Sequence, residues 1–177
     1  THRDIADERL DYWLKPEKEA EINFDIRFGW TAAPYFINSY RSGESEVVDE
    51  LHRQGIAVGF FFFERAAAVS PEAAEALDRT IIADFRGMLS ETAPGAASVV
   101  GEAFSERRCY VEVMLWDSDR VFEAVQNWSS QASNVRAAAF RSYRRPAGIL
   151  FFKSADRSKN ASDAGDIADE ADEVSED

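Results

Sequence analysis

The chain has 177 residues, a formal net charge of −13, one cysteine and two histidines. That is enough for one hydrophobic core, but it excludes an internal disulfide framework and leaves little material for a zinc or iron site. No apolar run approaches the ~20 residues of a spanning helix and no basic-then-apolar leader is present, so a cytoplasmic protein without a membrane partner is expected.

Three segments follow along the chain: a helical flap over residues 1–21, a single α+β domain over 22–153 and a disordered acidic tail over 154–177. In the flap, Asp4 to Leu14 can form a short helix that Pro16 closes. Ile22-Asn23-Phe24-Asp25-Ile26-Arg27-Phe28-Gly29-Trp30 alternates apolar and polar residues without error, the pattern of a half-exposed strand. After the Ala33-Pro34 turn, Tyr35 to Tyr40 reads as its hairpin partner. Glu44 to Gln54 has acids at its start, Val47, Val48 and Leu51 inward and Gly55 at its end, which predicts a helix.

Ile56-Ala57-Val58-Gly59-Phe60-Phe61-Phe62-Phe63 offers apolar groups to both sides, so it must be a central strand covered on each face, by the chain itself or by a second subunit. Ser70-Pro71-Glu72 is a helix start, and Leu77, Ile81, Phe85 and Met88 follow at helical spacing until Pro94-Gly95. Ser98 to Phe104 and Cys109 to Trp116 form a hairpin. Asp117 caps a helix carrying Val121, Val125 and Trp128, and Val135 to Tyr143 and Ala147 to Phe152 close the sheet around Arg145-Pro146. From Ile56 onward the order is strand, helix, strand, strand, helix, strand. This predicts a ferredoxin-like (split βαβ) antiparallel sheet with its helices on one face, preceded by an N-terminal β-α extension.

After Phe152 there is no aromatic residue, and residues 155–177 hold nine acids against Arg157 and Lys159. Such a composition offers too little apolar surface to offset the entropy of ordering it.

Along the predicted hairpin, Cys109, Val111, Val113 and Leu115 share one face and look to the helices, whereas Tyr110, Glu112, Met114 and Trp116 share the other. This second row is the candidate binding surface. If enclosed, Glu112 would be a buried acid with a raised pKa and a weak catalytic candidate; if not, it pairs with Arg136 or Arg141 on a neighbouring strand. Glu102 on the adjacent strand is a second weak candidate, because two carboxylates in unlike environments can divide acid and base roles. Cys109 reads as a small buried hydrophobe and His52 as a solvated helix residue. The sequence contains no metal-ligand spacing, glycine-rich phosphate loop or serine elbow, and no cofactor is expected.

Arg136 to Arg145 is a basic cluster interleaved with aromatics, with Arg136, Phe140 and Arg144 along one side. It suits nucleic acid less well than acidic protein segments, this chain's own tail included, because the rest of the chain is acidic. Two readings of function follow. The first is a non-enzymatic interaction module, a regulator, inhibitor or immunity-type protein, that meets a basic protein partner through acidic surface and exposed sheet aromatics. The alternative is a homodimeric α+β barrel, a small-molecule binder or enzyme with an apolar pocket at Tyr110, Glu112 and Trp116.

Overall fold

A computed structural model describes residues 9–16, 22–68 and 70–155. Its strands are β1 (Leu10–Trp13), β2 (Ile26–Thr31), β3 (Ala57–Arg65), β4 (Ala97–Ser105), β5 (Arg108–Leu115), β6 (Val135–Ser142) and β7 (Ile149–Lys153), and its helices are α1 (Pro34–Ser42), α2 (Glu46–Arg53), α3 (Pro71–Thr92) and α4 (Ser118–Gln131). The seven strands form one antiparallel sheet in the order β1-β2-β4-β5-β3-β6-β7.

The phenylalanine run lies in the interior of this sheet, one strand from its middle. β3 pairs with β5 on one side and β6 on the other, and its alternation sends Phe61 and Phe63 to one face and Phe60 and Phe62 to the opposite one. Below the sheet Phe61 and Phe63 meet Phe85 of α3, and Phe61 and Phe140 meet Phe122 of α4. Above it Phe60 meets Tyr40 of α1 and Tyr143 beyond β6. Burying one such ring contributes about 1.5–3 kcal/mol. Elements of the same chain therefore cover both faces of β3.

This corrects the expectation that the helices lie on one face with the other left open. α3 and α4 pack on one side, while α1 and α2 supply Phe36, Ile37, Tyr40 and Val48 to the other. The underlying error is local: Tyr35 to Tyr40 is not a hairpin partner but most of α1. Pro34 supplies a fixed helical φ at the first position, Phe36, Ile37 and Tyr40 fall on one helical face, and Gly43 ends the helix at a φ of 83°.

At the amino end, Leu10–Trp13 is a strand rather than helix, pairing with β2 at the sheet edge; the rest of the expected flap lies mostly outside the described residues. β2 itself starts only at Ile26, and a bulge at Arg27 breaks its apparent alternation. Ile26 joins the core under α1, whereas Phe28 stacks on Phe104 at 4.9 Å on the α3 side. α3 and α4 begin where expected, Ser70 accepting from the Ala73 amide and Asp117 from that of Arg120. The acidic stretch 156–177 lies outside the described residues.

Candidate functional site

Glu112 sits in the middle of β5, opposite Gly101 of β4 and Phe60 of β3, on the face that α1 covers. Only 4% of it is exposed. Alternation along the hairpin correctly separates it from Cys109, Val111, Val113 and Leu115, all of which lie in the α3/α4 core. The Tyr143 hydroxyl donates to Glu112 Oε1, reaching across β3 from the end of β6, while among the described residues Oε2 has no partner within hydrogen-bond geometry. A Cβ placed on Gly101 would stand 2.1 Å from that oxygen, so the bare backbone of Gly101 makes room for the carboxyl.

The electrostatics follow from this burial. Loss of water pushes the Glu112 carboxyl from 4.5 up to about 7, against the opposing pull of the Tyr143 and Thr31 hydroxyls. Burial also raises the phenols of Tyr143 and Tyr12, and the Glu112 charge raises both further, with Arg41 working the other way on Tyr12. The result is an enclosed carboxyl and two phenols, with the acid poised to change protonation near neutrality. Chemically it can give or take one proton.

The expected arginine partner is therefore replaced by Tyr143. Arg141 lies on the same face of β6 but holds its guanidinium 5.7 Å from the Tyr40 ring centre, and Arg136 pairs with Glu64. Tyr143 has the parity of Arg141 and Ala139, two and four residues before it, and that parity is the signal in the sequence for its position. Glu102 does not approach Glu112. A bulge between Val99 and Gly101 places Glu102 opposite Val111, on the α3 side, where it accepts from Arg86 at 2.6 Å and from Trp30 Nε1 at 3.1 Å. No two-carboxylate site forms between them.

The remaining candidates scatter. Tyr110 is buried, donating to Asp25 Oδ1 and accepting from the Asn23 amide at 3.2 Å, while Arg108 holds the other Asp25 oxygen at 3.0 Å. Met114, further along the same face, is half-buried against the α1-side cluster, and Trp116 lies past the end of β5 and is exposed. The row expected as an exposed sheet surface is thus mostly interior, because α1 lies over it. Phe140 points into the α3/α4 core, so it shares no surface with Arg136 and Arg144. Those two arginines sit at opposite ends of β6, Arg144 pairing with Asp49 of α2 at 2.7 Å. His52 is exposed, and burial pushes the Cys109 thiol up, as suits an inert core residue.

Two surface features leave no signal in the sequence pattern. A cleft of about 610 Å³ opens where the first turns of α3 face the β4–β5 turn, and Arg27, Arg65, Arg107 and Arg136 line it with Glu64, Glu75, Asp78 and Glu106, Glu75 being held by Arg79 at 2.7 Å. The outer strand β7 exposes Leu150 and Phe151. Among the described residues no three histidine, cysteine, aspartate or glutamate side chains cluster as a metal site, and no helix is long and apolar enough to cross a membrane. No protein-family model, curated protein or solved structure matches the chain.

Proposed function

We propose that this chain is a protein-interaction module that receives an extended segment of a basic partner on the free edge of β7. The observation that carries this reading is the outermost position of β7 together with the exposure of Leu150 at 45% and Phe151 at 55%. Edge strands normally carry charge, proline or distortion that prevents pairing. Here a bulge at Phe152 and the charge of Lys153 blunt only the far end, and Ile149-Leu150-Phe151 presents an apolar run beside backbone that no other described strand pairs with. Strand addition uses those two elements, backbone hydrogen bonds for affinity and alternate side chains for selectivity. The net charge of −13 favours a partner whose flanking residues are basic. The inner order β4-β5-β3-β6, with α3 and α4 on one side, supports a ferredoxin-like split βαβ unit as the core, widened by β1, β2 and β7.

Peptides selected from a random display library on the full chain, then measured on a Leu150→Lys/Phe151→Lys variant, test this reading. Extended basic peptides that lose about tenfold or more in affinity on the variant support it. A library yielding no binder, or binders indifferent to the double substitution, would overturn it.

A second reading, proton transfer to a small ligand, draws on Glu112 alone. It needs a path to the carboxyl, and the clefts at α3/β4, at α3/α4 and below the Pro94-Gly95 turn are lined by other residues. A ligand screen by thermal shift in which every hit acts equally on wild type and Glu112→Gln would remove it.

A further inference from the structure

We infer that the arginine-lined cleft beside α3 is the docking site of this chain's own acidic segment, residues 163–177. The starting point is a shared counterion. Arg107 Nη2 and Arg136 Nη1 each lie 3.5 Å from the same Glu64 Oε1, and both guanidinium side chains are 60% exposed. Charge-assisted hydrogen bonds run about 2.7–2.9 Å, so one carboxylate oxygen satisfies neither arginine and a further carboxylate fits between them. Arg27, paired with Glu106 at 2.8 Å and 52% exposed, stands on the opposite bank. Arg65 is committed to Asp78 and the Glu106 carbonyl and takes no part.

The occupant follows from where the chain leaves the sheet. β7 runs toward this same end: Lys153 pairs with Ala138, two residues along β6 from Arg136, and its Nζ donates to the Ala132 carbonyl at 2.7 Å. The acids from Asp163 to Asp177 are uninterrupted by any basic residue. The nine residues from Ser154 to Ser162 reach about 30 Å when extended, ample to turn back to a cleft at the strand's end. A free polyanion meets repulsion from the acidic chain as a whole, whereas a tethered one has an effective concentration of order millimolar and needs no encounter.

A nitroxide on Ser175→Cys of the full chain tests this directly, because Cys109 is fully buried and stays unlabelled. At an ionic strength of about 0.1 M the label should broaden the amide resonances of Ala66, Ala67, Arg107 and Arg136, and at about 1 M, where screening acts within about 3 Å, the broadening should vanish. Arg107→Glu/Arg136→Glu should abolish it at low salt, and the milder Arg107→Gln/Arg136→Gln pair should weaken it if charge reversal disturbs the fold. Sharp cleft resonances at low salt overturn the inference, as does broadening centred on another surface. So does broadening that survives both double substitutions, or that fades on dilution and therefore comes from a second molecule.

Discussion

The Tyr143 hydroxyl donates to Glu112 Oε1 across the full width of β3, joining two residues that flank the central strand without touching each other along the backbone. Because Glu112 is buried and lifted from 4.5 to about 7, the folded state holds a proton there that the unfolded chain has already released. Stability contributed by this site is therefore greatest below about pH 4.5, declines as pH rises toward 7 and levels off above it, by about 3 kcal/mol in all.

Glu112→Gln mimics the protonated acid at every pH. It should match wild type near pH 4.5 and exceed it by up to about 3 kcal/mol at pH 8. Urea unfolding at a series of pH values reads this out, and the Asp78 contribution, which has the same sign, cancels in the comparison. Parallel wild-type and variant profiles would mean that Glu112 titrates normally.

Tyr143→Phe removes the donor that favours the ionised carboxylate. At pH 5, where Glu112 is protonated, the expected loss is about 1 kcal/mol; at pH 8 it should reach about 2–3 kcal/mol, because a buried charge then loses its hydroxyl. An equal loss at both values would assign Tyr143 a packing role only.

Gly101→Ala tests the close approach behind the carboxyl. The new Cβ would stand 2.1 Å from Glu112 Oε2 and 2.8 Å from the Trp30 carbonyl oxygen, so about 2–3 kcal/mol of stability should be lost. Combining it with Glu112→Ala frees the space that the carboxyl held, and the pair should fall short of additivity by about 1 kcal/mol or more. Additive losses would show that the backbone moves instead.

These features were unequally legible in the sequence. Period-two alternation sufficed to centre the phenylalanine strand and to put Glu112 opposite Cys109 and Val111, because β3 and β5 run without a bulge between them. It failed for β2, where a bulge at Arg27 puts Ile26 and Phe28 on opposite faces, and for Glu102, where the bulge before Gly101 sends its carboxylate to α3. Bulges leave no mark on hydrophobic spacing. Tyr35 to Tyr40 misleads for another reason: six residues rich in aromatics fit either period, and Pro34 fits a turn as well as the first turn of a helix. That single error hid the cover over Glu112 and made the Tyr110 row look exposed. The arginine cleft joins β2, β3, the β4–β5 turn, α3 and β6, so only the tertiary arrangement creates it.

The Arg65–Asp78 pair at the floor of that cleft supplies a last expectation. Arg65 Nη1 reaches both Asp78 oxygens, at 3.2 and 3.0 Å, with side chains 12% and 4% exposed, yet burial still outweighs the guanidinium and lifts Asp78 from 3.8 to about 6. Arg65→Ala leaves that carboxylate buried without its cation, which should cost about 3–5 kcal/mol at pH 8. Losing the cation raises Asp78 further, so near pH 5 the variant's acid is neutral and the penalty should shrink. Arg65→Met/Asp78→Leu removes both charges while keeping the volume, and should recover most of the loss at pH 8. Urea midpoints of the three proteins at both pH values decide the matter: a small, pH-independent loss in Arg65→Ala would show that water reaches Asp78 and that the pair contributes as little as a surface bridge.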